Sequence, residues 1–288
     1  TINLPDRADR LAILQVHARK KPFAADVNLS VIAERTPGFS GADLASLMNE
    51  AAILAAREDR KTIGQFDVVR SIEKVMLGPE RKSHVLSVEE KKKTAYHEAG
   101  HALLASVLEY ADPVHKVSII ARGSAGGYTL KLPIEEKRLP TKKEFLDDIV
   151  VALGGYVAEE MIYGDISTGP SNDLQVSTAL ARDMVTKYGM SEKFGPVALE
   201  GAGGRATYGR GINDREYSEK VGSEIDSEVG RIMNEAKKRA FDGITQHKKL
   251  LEDITKTLTE KETLEQDEFN EILIRNGIAP KKKKEEIL

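Results

Sequence analysis

The chain has 288 residues, about twice the length of a common single domain, so we expect two domains with a sizeable core. Its net charge of −3 gives no electrostatic reason to expect nucleic acid as a partner. The sequence contains no cysteine, which excludes disulfides and thiolate metal sites. A bound metal would therefore have to use histidines and carboxylates.

No run approaches the roughly twenty apolar residues that cross a bilayer, and residues 1–5 lack the features of a signal peptide. We therefore expect the chain as given to be soluble. Because it starts without an initiator Met, in what reads as a connecting segment, we also expect it to be part of a longer protein.

The first part of the chain has a helical pattern from Asp6 to about Lys74, without strand-like alternation. Ser40 followed three positions later by Asp43 is a capping-box signature, which predicts a helix to about Arg57. The pattern breaks at residues 77–79, Leu-Gly-Pro. We place a domain boundary there, with a helical domain at 1–76 and a second domain at 77–288.

The second domain is predicted to be mostly helical with a small β-hairpin, which makes the whole fold mainly α. Ser87 and Glu90 form another capping box, and the helix they open should run to about Glu109. Residues 116–121 and 128–132 read as the strands of the hairpin, joined by a turn at 123–127. Further helical patterns cover residues 142–163, 171–188, 217–246 and a final pair before 276, and the basic run 281–284 reads as a charged tail.

The sequence His97-Glu98-Ala99-Gly100-His101 lies within the helix predicted after Ser87. Residues four apart share a helix face, so His97 and His101 can bind one zinc ion. Glu98 points about 100° away, where it can act as general base on the attacking water. The same motif could arise by chance from two surface histidines beside a glutamate. Its position in a capped helix with small and apolar neighbours instead favours a buried zinc site and zinc-dependent peptide hydrolysis. Gly100 weakens a helix, which indicates close approach of another backbone or of substrate.

The other candidate features are less specific. The strand predicted at residues 127–132 could pair with an extended substrate backbone, although ordinary sheet packing explains it equally well. The candidate substrate residues are Gly127, Tyr128, Thr129 and Leu130. His115 precedes a predicted strand, where a lone histidine is more often structural than a metal ligand. His17, His84 and His247 do not have the spacing to other ligand residues that is typical of metal sites.

A catalytic zinc site needs three protein ligands, and the two histidines supply only two of them. Asp173 is one candidate, because it falls in the first turn of a helix that should start near Pro170. Glu159 and Glu160 are the competitors, since many enzymes with this motif take a glutamate from a downstream helix. Spacing alone does not choose, and a first-turn Asp can simply be favoured by the helix dipole.

Four separated segments resemble the FtsH family of membrane-bound, ATP-dependent zinc metalloproteases, in the family's order and over essentially the whole chain. These segments are residues 38–44 (GFSGADL), 94–101 (TAYHEAGH), 112–117 (DPVHKV) and 167–173 (STGPSND).

The resemblance implies that residues 1–76 are a helical AAA+ lid and that the remainder is a zincin-like peptidase domain. It further implies that Asp173 is the third zinc ligand. His17, Gly41 and Ala42 would lie against a nucleotide, whereas from the residues alone they read as a part-buried histidine and a helix cap.

For the full-length protein the resemblance implies a homo-hexamer at the cytoplasmic face of the inner membrane, which degrades unfolded and membrane proteins with ATP and Mg²⁺. The chain has no G-x-x-x-x-G-K-[ST] loop, so we expect no ATP hydrolysis by this chain alone, with the ATPase core and membrane segments upstream or absent. A rival interpretation is a catalytically silent helical scaffold, which chelator-sensitive hydrolysis of a loosely folded protein would distinguish.

Overall fold

The computed structural model describes residues 3–79, 87–122, 126–133, 139–200 and 217–281. The chain divides into two compact units. Unit 1 comprises Thr1–Val85 with the segments Ile120–Gly126 and Leu132–Glu136, and unit 2 comprises Leu86–Ile119, Gly127–Lys131 and Lys137–Leu288. The boundary expected between residues 76 and 77 stays a prediction. Within the described ranges, no helix is both long and apolar enough to cross a membrane.

Unit 1 is built from helices, as its sequence pattern predicts. The Ser40–Asp43 capping box is present and starts the third of them, because the Ser40 hydroxyl accepts from the Asp43 N–H and the Asp43 carboxylate accepts from the Ser40 N–H. Leu14, Leu44 and Leu47 are fully buried in its core. The helices are α1 (Arg7–Ala18), α2 (Leu29–Glu34), α3 (Gly41–Arg57) and α4 (Gln65–Leu77).

Unit 2 is also mostly helical, which confirms the mainly α fold class. The stretch predicted as helical over residues 142–163 consists of two helices that meet at Leu153, where the ψ angle is −3° and two glycines follow. The loop residues 123–125 and the tail residues 282–284 lie outside the described part of the chain. The helices are α5 (Val88–Val107), α6 (Lys142–Ala152), α7 (Gly154–Tyr163), α8 (Ser171–Thr186), α9 (Glu219–Gln246), α10 (Lys248–Lys261) and α11 (Gln266–Arg275).

A small antiparallel sheet accompanies these helices in the order β2-β1-β3. The predicted hairpin is confirmed, but β1 (Val114–Ser118) starts and ends earlier than expected and β2 ends at Lys131. Ile119 leaves the hairpin ladder and donates its N–H to the Glu262 carbonyl, 3.0 Å away. The third strand, β3 (Thr263–Glu265), was not predicted, because three residues are too few to show an alternating pattern. Among the described strands, β2 is thus at an edge.

Helix α5 passes through the core of unit 2 and carries the motif at residues 97–101. It begins at the predicted Ser87–Glu90 capping box, and every residue from Ala95 to Ala105 is buried. Gly100 meets α7 directly: a Cβ at Gly100 would lie 2.3 Å from the Gly154 carbonyl oxygen. The close backbone approach expected from a helical glycine at this position is confirmed.

Candidate metal centre

The two histidines of the motif lie one helical turn apart on the inner face of α5. His97 is 9% exposed and His101 is 8% exposed. Their ring centroids are 4.7 Å apart with the planes at 79°, and their Nε2 atoms are 3.0 Å apart. Both Nε2 lone pairs can therefore reach one point in space.

The opposite nitrogen of each ring is held by a hydrogen-bond acceptor. His97 Nδ1 lies 2.8 Å from Glu159 Oε1, and His101 Nδ1 lies 2.7 Å from the Val151 carbonyl oxygen. Because a carbonyl only accepts, His101 Nδ1 carries a proton and its Nε2 is left available. Outer contacts of this kind orient histidines that bind metals.

Asp173 lies beside the two Nε2 atoms. It sits in the first turn of α8, which begins at Ser171 as expected. Its Oδ2 is 3.3 Å from His97 Nε2 and 3.6 Å from His101 Nε2. Tetrahedral ligands that are each about 2.0–2.1 Å from zinc lie about 3.3 Å from one another. The separations in this group of three match that geometry, so the residues present fit a zinc ion.

The two competing glutamates face elsewhere. Glu159 contacts the far side of the His97 ring and also accepts the Ser167 N–H, 3.0 Å from its Oε2. Glu160 forms a 2.9 Å ion pair with Lys237. Within the described residues, the group that could hold a metal consists of His97, His101 and Asp173.

Without a metal, a proton on His97 offsets the negative charge of the carboxylates around it. Burial alone would lower the pKa of His97, but hydrogen bonds to Asp173 and Glu159 outweigh it and raise that pKa to about 10. Burial alone would raise the pKa of Asp173, yet its contacts with His101 and His97 hold it well below the usual range. A cation bound between these groups would take the place of the shared proton.

Comparison with known proteins agrees with this geometry. The sequence profile of peptidase family M41 matches residues 84–272, which include all three members of the cluster. The chain belongs to peptidase family M41. A second profile, the AAA+ lid domain, matches residues 26–67. The chain thus combines a zinc metallopeptidase domain with an AAA+ lid, as the resemblance implied.

Relatives of this M41 chain carry the name ATP-dependent zinc metalloprotease FtsH. The chain is 52% identical over 269 residues to FtsH 1 of Sphaerobacter thermophilus, which covers 93% of this chain and 41% of that protein. It is 47% identical over 284 residues to FtsH of Bacillus subtilis, covering 98% and 44%. The chain therefore spans less than half the length of these relatives.

Glu98 of the M41 motif lies buried, with 5% of its surface exposed. Thr129 of β2 donates its hydroxyl to Glu98 Oε2 at 2.8 Å. Burial raises the pKa of the Glu98 carboxyl, against the opposing effects of the two histidines and the Thr129 hydrogen bond.

Gly155 lies against the ring of His97, and the sequence did not predict this contact. A Cβ at this position would lie 2.4–2.5 Å from three atoms of the His97 ring, so a side chain has no room there. The available signal was the pair Gly154-Gly155 inside a helical pattern, since an unexplained helical glycine usually marks a close approach.

The remaining candidates are not members of the His97–His101–Asp173 group. His17 is half-buried on α1, while Gly41 and Ala42 are exposed at the start of α3 in unit 1. His115 lies on β1 with its Nδ1 3.1 Å from Gln266 Oε1, in keeping with a structural role. His247 ends α9, and His84 lies outside the described residues.

Proposed function

We propose that this chain is the zinc endopeptidase portion of an ATP-dependent protease, with His97, His101 and Asp173 as zinc ligands and Glu98 as general base. The observation that carries this proposal is the convergence of His97 Nε2, His101 Nε2 and Asp173 Oδ2, which lie 3.0–3.6 Å apart. Family membership supplies the reaction class, and the spacing of the three atoms supplies the ligand set.

The chain's own residues divide the chemical work. Zinc, when bound, supplies a Lewis acid that acidifies water and polarises the scissile carbonyl. Glu98 accepts the proton of the attacking water and returns it to the leaving amine. Glu159 and the Val151 carbonyl hold the histidine rings in orientation from behind.

The edge strand β2 is a suitable place for the substrate backbone. Its other side is paired with β1, and the side chain of Thr129 contacts the proposed base. A peptide added to the edge of β2 opposite β1 would run beside Glu98, with main-chain hydrogen bonds giving affinity without strict sequence demands. The proposed contact residues are Gly127, Tyr128, Thr129 and Leu130.

For the whole protein we propose an ATP-driven hexamer, anchored in the inner membrane with these domains on its cytoplasmic face, which degrades unfolded and membrane proteins. The relatives are named ATP-dependent proteases, which supports dependence on ATP. In the lid, the α3 N-terminus is accessible, since a Cβ at Gly41 would meet open space and Ala42 is exposed. Exposed helix N-termini favour phosphate groups, which supports a nucleotide near Gly41, Ala42 and His17.

Casein digestion by purified chain, with zinc measured in the same sample, tests the peptidase assignment. We expect hydrolysis that a chelator abolishes and zinc restores. Glu98→Gln should be inactive with zinc still bound, and Glu160→Gln is a matched control because its carboxylate pairs with Lys237. If the zinc-loaded wild-type chain does not hydrolyse casein, and the Glu98→Gln and Glu160→Gln variants are equally inactive, the result would support a structural scaffold instead.

A further inference from the structure

The hydroxyl of Thr129 is positioned to control the orientation of the Glu98 carboxylate. Its Oγ1 is 2.8 Å from Glu98 Oε2 and 3.3 Å from the Glu98 carbonyl oxygen. A hydroxyl has one proton, and the shorter contact with the carboxylate takes it. Among the described residues, no other side chain donates a hydrogen bond to this carboxylate.

The backbone around Thr129 is fixed by the sheet and fits closely around Glu98. Thr129 is paired with Val117 of β1, and Tyr128 is paired with Ser118. At the neighbouring Gly127, a Cβ would lie 2.8 Å from Glu98 Oε1 and 2.9 Å from the Ser118 carbonyl oxygen. One oxygen of the base is therefore held by a hydroxyl, and the other faces Gly127, where any side chain would crowd it.

We propose that Thr129 is a positioning residue for the general base, holding one carboxylate oxygen of Glu98 so that the other meets the attacking water. The inference rests on the proposed function of Glu98. It goes beyond a substrate-strand role, because Thr129 acts through Glu98 and its side chain need not touch substrate. The same short strand then presents its outer edge to the peptide and holds the base with a side chain.

A buried carboxylate without this hydrogen bond can rotate about its last side-chain torsion, which is broad and only two-fold. Rotation lowers the fraction of molecules in which the base faces the water. Hydrogen bonds to charged groups and preorganised contacts in active sites commonly contribute tenfold or more, so we expect removal of the hydroxyl to lower kcat by about tenfold. KM should change little, because the main-chain edge of β2 is retained.

The test compares Thr129→Val, which removes the hydroxyl at nearly constant shape, with Thr129→Ser, which keeps it. Zinc-loaded chain is assayed with a short unstructured peptide. We expect about a tenfold loss of kcat in Thr129→Val, unchanged KM and zinc content, and recovery of most of the loss in Thr129→Ser. Thr263→Val is the matched control, because the Thr263 hydroxyl lies in the same sheet, 2.9 Å from Ser118 Oγ. It should leave kcat unchanged.

A double variant separates this inference from the proposed function. If Thr129 acts through Glu98, Thr129→Val should add no further loss in a Glu98→Gln background, measured in single turnovers at high enzyme concentration. A second tenfold loss there, a rise in KM at constant kcat, or loss of zinc from Thr129→Val would each overturn the positioning role while leaving Glu98 as base. Normal turnover in Glu98→Gln alone would instead overturn the proposed function and the inference with it.

Discussion

Replacing Gly155 by alanine tests how closely the fold constrains His97, a proposed zinc ligand. The new Cβ would lie 2.4 Å from His97 Cε1 and 2.5 Å from both ring nitrogens. Ordinary contact distances start near 3.4 Å, so in a close-packed interior the ring or the α7 backbone must move by about 1 Å. That displacement is about half the length of a zinc–nitrogen bond, which is about 2.0–2.1 Å.

We expect Gly155→Ala to lower zinc affinity by about tenfold to a hundredfold, the range seen when groups that support a metal ligand are altered. Overpacking should also cost about 1–3 kcal/mol in the free energy of unfolding. Competition with a chromophoric chelator measures the zinc affinity, and thermal unfolding of the metal-free protein measures the stability.

A second helical glycine provides the matched control. Gly230 lies in α9, where an added Cβ would meet open space. Gly230→Ala should therefore keep zinc and gain about 0.5–1 kcal/mol in stability from the better helix propensity of alanine. Wild-type zinc affinity and turnover in Gly155→Ala would refute the close constraint on His97.

The remaining predictions concern the ligands, the base and pH. Glu98→Gln should keep zinc and lose about a hundredfold or more in peptide hydrolysis; normal turnover would remove Glu98 from the mechanism. His97→Ala, His101→Ala and Asp173→Asn should each lose zinc in metal analysis, whereas Glu160→Gln should retain it; full occupancy in Asp173→Asn would exclude that ligand. In the metal-free protein, the pKa of His97 is raised from its usual value of 6.5 to about 10. Its proton therefore contributes to the free energy of unfolding fully below about pH 6.5, and this contribution is lost as the pH rises toward 10. Because zinc must displace this proton, the gain in Tm on adding zinc should be larger at about pH 8.5 than at about pH 6.5, and a smaller gain would contradict the coupling.

Local chemistry made much of this fold predictable from the sequence. Capping boxes at Ser40 and Ser87 predicted the starts of α3 and α5. In each box, two residues three positions apart accept each other's backbone N–H with their side chains, so the signal is entirely local. The pairing of His97 with His101 followed from helix geometry alone.

Features that depend on distant segments were not predictable in the same way. Spacing could not choose between Asp173 and Glu159, because the choice depends on how α7 and α8 pack against α5. Strand β3 and the contact of Gly155 with the His97 ring were missed for the same reason, since each forms only when separate parts of the chain meet.

The third strand also affects the order in which the chain can fold during synthesis. Ser118 of β1 and Thr263 of β3 are 145 positions apart, although their hydroxyls lie 2.9 Å from each other. At about 5–20 residues per second, a ribosome needs about 7–30 seconds to make the intervening stretch. Throughout that interval β1 can pair only with β2, and its other edge presents open backbone groups that chaperones or wrong partners can bind. The sheet that carries Thr129 is complete only after residues 263–265 have been made.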